Sequence, residues 1–440
     1  CVFWLVAAVR PEQPSRAGSL PRVPHETDAE TGGPAPQGLL TDHLDLQVLG
    51  ARYPRHLIDE VLADTGRTQK RSRALPAHVM MRFSIAQGLH PGKGSDALMR
   101  ELAGSLRATG SWAKDWKAPT TSAIAQARKR LGPEPLAELF QRACVPLARL
   151  TTPGGFLGSL RLVSVDGTAL DVADTGANAA HFGYAGNGTD RSAFPKARLV
   201  TLNEVGTHAA IGAAIGPWET SERTLAAGLA GLADEHMLVL ADAGFYSFEL
   251  FDAFAQRGAT LAWRVGASVE LPPITPLADG SYTSLVFAPR VRRTTKDALI
   301  AAARAGQQVD PSRAVLVRAV DYTVPDANPK GELITVVTNE LDPRALGAAR
   351  IAHAYGQRWE HESALGEIKR YLRGAGAVLS SQSPPMIQAQ VWGLLLAHYA
   401  VRALMCEAAD HLETDPDRMS FTHALQVIRP ASRGGAAFSP

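Results

Sequence analysis

Apolar positions recur at helical spacing through the first third of the chain and at strand spacing through its middle. Leu57, Ile58, Val61 and Leu62 form one apolar stripe, and Val79, Phe83, Ala86 and Leu89 another, so helices are predicted from Leu39 to about Leu150. Pro119-Thr120-Thr121-Ser122 offers capping hydroxyls for a helix that ends at Leu131, before Gly132-Pro133. Ile124, Ala127 and Leu131 share one side of that helix, while Arg128, Lys129 and Arg130 mostly fall elsewhere. Ahead of this region, residues 1–37 lack periodicity and are rich in Pro, Gly, Ser and Glu beyond a short apolar run, the composition of a disordered leader.

After Gly155 the period changes. Leu160 to Val165 reads as a short strand ending in Asp166, followed by a loop of Gly, Asn and Asp to about Pro195. Arg198–Glu204 and His208–Ile215 read as two strands joined at Gly206-Thr207, and Ser221 caps a helix carrying Leu225, Leu229 and Leu232. Met237 to Ala241 is a wholly apolar strand that ends in Asp242. An α/β sheet is therefore expected over 156–260, with an acid at the end of its first and fourth strands. Residues 261–342 change again: Leu261–Val265, Ala314–Val320 and Leu333–Thr338 are strand-like and broken by Pro272-Pro273 and Asp279-Gly280, as in a β-rich insertion. Helical pattern returns over 343–410, and 411–440 remain as a C-terminal tail.

Charge adds position rather than sign. Lys plus Arg number 45 against 43 Asp plus Glu, a net charge of +2 that names no partner. Arg67, Lys70, Arg71 and Arg73 nevertheless crowd one stretch, and Arg128, Lys129 and Arg130 another, which suits phosphate contact at chosen surfaces. The three cysteines, Cys1, Cys144 and Cys406, are far apart, so a disulfide framework is not expected and a reducing cytoplasm fits better. The apolar run at residues 1–9 is too short to span a bilayer, and no membrane segment or export signal is read.

The chemistry concentrates in the segment Leu346–Arg373. Wound as one α-helix, it brings Tyr355, Arg358, Glu362 and Lys369 within an arc of roughly 60°, with Trp359 and Arg373 on the same face. A solvated face with an embedded ion pair would look similar, but two aromatics among the cations point to a ligand. Asp166 and Asp242 each follow an apolar strand, and adjacent parallel strands would let them share a hard divalent cation. Taken alone, either Asp is more commonly a turn or helix-capping residue, and the metal reading rests on their combination. A third carboxylate from a packed helix completes a clamp for two ions about 3.5–4 Å apart. Asp171 and Asp174 are the nearest substitutes for the first ligand, and His361 points away from the acidic face. Trp263 reads as a core residue, with base stacking as the alternative.

Tyr355, Arg358, Glu362 and Lys369, in YGQRWEHESALGEIK, match the Y-x2-R-x3-E-x6-K signature of the insertion-sequence 4 family of bacterial transposases. SVDGTALDVADT and LVLADAGFYS resemble that family's segments for the first and second catalytic Asp, and FPKARLVTLNEVGTHA between them fits as well. The resemblance spans roughly residues 38–410. It implies an RNase H-like core with a β-rich insertion and a helical N-terminal DNA-binding domain over 38–150. It further implies that Asp166, Asp242 and Glu362 hold two Mg²⁺ ions, which Mn²⁺ can replace, and that strand cleavage at transposon ends is followed by transfer into target DNA. Tyr355, Arg358 and Lys369 would grip DNA phosphates, helped by Trp359, Arg373, Arg128, Lys129 and Arg130. The expected partners are double-stranded transposon ends, target DNA and a second copy in a synaptic complex, on the nucleoid of a bacterial cytoplasm. The chain departs from the family where Ala243-Gly244-Phe245 replaces the common Arg-Gly-Phe, and where Leu365 replaces Phe.

Two other readings follow. A domesticated transposase would bind DNA without cutting it. VSVDGT also resembles the D-x-D-G-T signature of haloacid-dehalogenase-type phosphatases, but the nucleophilic Asp of that motif is Ser164 here, which cannot form an aspartyl-phosphate.

Overall fold

Two-residue alternation along the first long strand divides the molecule into layers. In the computed structural model, residues 52–68, 75–108, 119–186, 188–324, 332–374 and 376–431 are described. Strands β1 (Phe156–Leu157), β2 (Leu160–Asp171), β3 (Lys196–Glu204), β4 (Ala210–Pro217), β5 (Met237–Ala241) and β6 (Thr260–Arg264) form one half of a mixed sheet. Strands β7 (Pro273–Pro276), β8 (Tyr282–Phe287), β9 (Ala314–Val324) and β10 (Glu332–Thr338) continue it through β10, which pairs antiparallel with β6. Val163 and Val165 of β2 join Val239 of β5 on one face, beneath Phe251 and Phe254. Leu162, Leu238 and Leu240 face the other way and pack with Ile351, Ala354 and Tyr355. Ser164 and Asp166 continue the second alternation.

Helices α1 (Arg55–Asp64), α2 (Ala77–Leu89), α3 (Ser95–Ala108), α4 (Thr121–Leu131) and α5 (Glu134–Ala143) precede the sheet. Thr120 caps α4 by accepting from the Ala123 amide at 3.2 Å, and Gly132 ends it at φ 75°, as its sequence anticipates. Around the sheet lie α6 (Gly176–Phe182), α7 (Glu222–Ala227), α8 (Phe248–Ala255), α9 (Arg293–Arg304), α10 (Ala348–Gly356) and α11 (Trp359–Gly366). After α11 come a π-helical segment (Glu367–Leu372), then α12 (Pro384–His411) and α13 (Phe421–Ala431). Helix α2 is apolar nearly all round, which requires burial on every side. It obtains this by crossing α12 where Gly88 meets Gly393: a Cβ on Gly88 would stand 2.5 Å from the Gly393 carbonyl oxygen, and one on Gly393 2.4 Å from that of Ser84. The fully buried Glu204 carboxylate ties the helices to the sheet, accepting from the Leu147 and Ala148 amides at 2.8 and 2.7 Å.

Several expectations are corrected. Asp166 lies inside β2 rather than at its end. The parallel partner β5 stops at the Val165–Ala241 pair, but β3 goes on pairing with β2 as far as Asp171, so the strand continues. The segment 346–373 is not one α-helix: it breaks at Gln357-Arg358 between α10 and α11 and winds as a π-helix from Glu367, where Arg373 donates to the Ile368 carbonyl. β6 lies in the core sheet, parallel to β5, and the strands after it extend that same sheet, with helix α9 among them. Trp263 is the core residue its sequence suggests, fully buried against Phe251 and Phe254 with ring centroids 5.6 Å from each, and the base-stacking alternative is closed because it has no exposed surface. Arg128 turns inward and donates to Ser381 Oγ at 3.2 Å, because the end of α4 packs against the loop before α12; Lys129 and Arg130 stay exposed. Residues 1–37 and the cations Lys70, Arg71 and Arg73 lie outside the described residues, whereas Arg67 pairs with Glu134 at 3.1 Å. Cys144 and Cys406 are buried free thiols.

Candidate active site

Three acids from remote parts of the chain meet over the β2–β5 junction. Asp166 reaches the site from β2 just past the point where its parallel partner ends, and its Oδ1 accepts from the following Gly167 amide at 2.7 Å. Asp242 directly follows β5, and its Oδ1 accepts in the same way from Ala243 at 2.7 Å. Glu362 descends from α11 with its side chain 45% exposed. Arg358, buried at the break between α10 and α11, donates to Asp166 Oδ2 at 3.4 Å and to Glu362 Oε1 at 3.1 Å. The Tyr355 hydroxyl stands 3.5 Å from Asp242 Oδ1. The 3.4 and 3.5 Å contacts are loose by hydrogen-bond standards, so neither Asp is tightly committed to its neighbour.

Electrostatics follow from this crowding. Burial pushes the Asp166 carboxyl above its ordinary value; the Gly167 amide and Arg358 pull it down, while Glu362 and Asp242 push it up again. Burial likewise raises the Tyr355 hydroxyl far above its usual range, with Asp242 adding to the effect, so it stays a neutral donor. The donor set is three hard carboxylates that repel one another, a set that fits hard divalent cations.

A buried histidine fixes the spacing between two of these acids. His361, next to Glu362, points off the acidic face as its position implies, and bonds Ser164 Oγ through Nδ1 at 2.6 Å and Thr201 Oγ1 through Nε2 at 2.9 Å. Ser164 is two residues before Asp166 on the same strand face, and Thr201 is the cross-strand partner of Asp166. The imidazole is thus a strut between the helix carrying Glu362 and the strand carrying Asp166. Burial lowers its pKa to about 3, so the strut is neutral. Ser164 is fully enclosed in this bond, which leaves the phosphatase reading no accessible nucleophile. His361→Ala leaves two buried hydroxyls unpaired and is expected to cost at least about 1–3 kcal/mol. Its urea midpoint should fall below that of His361→Asn, which can keep one bond; equal midpoints would refute the strut.

Cations gather beside the acids. A cavity of about 530 Å³ is lined by Asp166, Gly167, Thr168, Glu362, Leu365, Gly366, Lys369 and Arg370. Lys196 pairs with Asp171, and both act on the charge of Lys369, which lines the cavity; the pairing accounts for Asp171 without a metal. Burial lowers the Lys369 pKa, and Arg373 and Lys196 lower it further. Arg373 is buried with no hydrogen-bond partner at Nε or Nη1. Asp174 accepts from the Tyr184 hydroxyl at 2.6 Å. Trp359 is 63% exposed, its ring 5.4 Å from the Arg358 guanidinium. Sequence reasoning missed Lys196 and Arg370, although FPKAR and KRYLR carry both in plain view. It also missed Arg223, which donates to the Gly244 carbonyl at 2.9 Å and brings a cation to the turn whose family Arg is replaced by Ala243.

Two family models match the chain. The model of the insertion element 4 transposase N-terminal domain matches residues 43–141, and that of the transposase DDE domain matches residues 158–399. The chain is 27% identical over 389 residues to the Escherichia coli K12 transposase InsG of insertion sequence element IS4, covering 87% of this chain and 82% of that one. A solved structure of the piggyBac transposase synaptic complex with hairpin DNA aligns with 90% of this chain and 81% of its own, at a TM-score of 0.42 and 10% identity, which is too distant to carry an argument.

Proposed function

Because the chain belongs to the DDE-domain transposases and carries the N-terminal domain of the insertion element 4 type, we propose that Asp166, Asp242 and Glu362 hold two Mg²⁺ ions and cut DNA at transposon ends. The family makes the protein a DNA transposase, a polynucleotidyl transferase with an RNase H-like core that depends on a divalent metal. The observation that supports these three residues is the single Arg358 guanidinium shared between Asp166 and Glu362, with Asp242 close enough to raise Asp166 further. Bound there, the ions would activate the attacking oxygen and stabilise the leaving one.

The chain's own groups orient and grip. The Gly167 and Ala243 amides each fix one oxygen of an Asp, and Tyr355 stands beside Asp242 as a neutral donor. Lys369, Arg370 and Arg373 face the backbone flanking the cut, with Trp359 at the rim and Lys129 and Arg130 further out. Double-stranded ends and target DNA would be held by two copies in a synaptic complex, and Mn²⁺ would substitute for Mg²⁺. Among the described residues no helix is long and apolar enough to cross a membrane, and we place the reaction on nucleoid DNA in a bacterial cytoplasm.

A duplex carrying the element's terminal repeats should be nicked in Mg²⁺ and left intact in EDTA. Lys369→Ala should reduce the slope of log affinity against log salt by about 0.9, the loss of one phosphate contact. An unchanged slope would remove Lys369 from the interface.

A further inference from the structure

The helix that carries Glu362 also takes part in a second cluster of ionisable groups. His208, at φ 57° in the turn between β3 and β4, meets Glu360 of α11 and Asp417, which lies in the short 3₁₀ turn after α12. Its Nε2 is 2.9 Å from Glu360 Oε2 and 3.1 Å from Asp417 Oδ1. Each of the three residues offers one ligand atom, and these atoms all lie within 4.8 Å of one another. We propose that His208, Glu360 and Asp417 form a binding site for a divalent transition ion of the Zn²⁺ type, separate from the three-acid centre.

Four observations support it. One imidazole nitrogen and two carboxylates are a donor set that suits Zn²⁺ with a water as fourth ligand. Behind the imidazole, Glu367 Oε1 lies 3.3 Å from His208 Nδ1, close enough to become its acceptor once Nδ1 carries the proton, as in the carboxylate–histidine pairing that orients metal-binding imidazoles. Glu360, Glu367 and Asp417 surround His208, with Arg402 paired to Glu367, a setting that favours added positive charge, either as a bound cation or as a proton on His208. Lastly, His208 is buried while the Glu360 and Asp417 side chains are 33% and 28% exposed, so the site has an open side.

In the structure Arg402 donates to Nδ1, which leaves the imidazole proton on Nε2 between the two carboxylates. The ion takes that proton's place. The proton moves to Nδ1, where Glu367 accepts it, and Arg402 keeps its 2.8 Å bond from Nε to Glu367 Oε2. The competing arrangement is a protonated His208 that satisfies both carboxylates and needs no metal.

Full-length Asp242→Asn, in which the three-acid centre is weakened, separates the two. Titration with Co²⁺ should give one equivalent with the visible bands of a nitrogen-containing site of low coordination number, displaced by Zn²⁺. Adding Asp417→Asn, a change in a partly exposed turn, should weaken that binding about tenfold or more, with the circular dichroism unchanged, and His208→Gln should remove the bands. A flat Co²⁺ titration would overturn the proposal. So would equal affinity with and without Asp417→Asn, or bands that appear only when Asp242 is intact.

Discussion

Glu362→Gln is expected to abolish metal-dependent cleavage, by about 10²–10³-fold or more, while end binding and thermal stability stay near those of the parent. The amide keeps the size and one acceptor oxygen of the carboxylate but removes the charge that a divalent ion requires. Because the side chain is 45% exposed, its loss should change stability by no more than about 0.5 kcal/mol. Asp166→Asn should be equally inactive yet show the opposite tendency in stability. Its carboxyl is raised in the folded protein, so between the unfolded and folded pKa values the native state binds more protons. Stability therefore falls as pH rises through that window, and the penalty persists at neutral pH. Removing the charge removes the penalty, and the melting temperature at pH 7 should not drop. Single-turnover nicking of an end-bearing duplex, with melting curves alongside, checks both variants. Normal nicking by Glu362→Gln would end the residue assignment.

The second large effect is on folding. Glu367→Gln should destabilise the protein by about 3–5 kcal/mol, seen as a lowered urea midpoint at unchanged slope. Glu367 is buried at the start of the π-helical segment, where it accepts from His398 Nε2 at 2.9 Å and from Arg402 Nε at 2.8 Å. Neutralising it strands the Arg402 guanidinium in the interior. Burial alone would raise the Glu367 carboxyl, but Arg402 and His208 outweigh it and hold the group well below the usual carboxylate range. That stabilisation is complete above the ordinary Glu value of about 4.3 and is lost as pH falls towards the folded value. The parent should therefore lose stability in acid more steeply than the Gln variant. Parallel acid profiles would count against the buried pairing.

Much of this was legible in the residues, and the misreadings share a physical origin. Met237–Ala241 is recognisable as a doubly buried strand from its apolar run alone, and β2 from its alternation. Tyr355, Arg358 and Glu362 converge although the helix assumed to align them is broken, because the break falls at Gln357-Arg358 and the turn resumes at once. Beyond Glu367 the i to i+5 bonding winds the chain differently, so a fixed angle per residue no longer holds; Lys369 still lines the cavity with Asp166 and Glu362, while Arg373 is buried. Arg128 could not be known to point inward, since its partner Ser381 is 253 residues away. Helix α13, by contrast, was readable and passed over: Phe421, Ala424, Leu425 and Ile428 keep helical spacing in a stretch set aside as a tail.

The backbone contact of Gly88 with Gly393 has a practical consequence for engineering. A graft that exchanges residues 52–143 for those of a relative would keep one half of a methyl-free crossing and import the other. If the donor carries Ala at either place, the helices must part by more than their side chains can absorb. Hybrids should therefore inherit 77–89 and 384–411 from the same parent, although some three hundred residues lie between them on the gene.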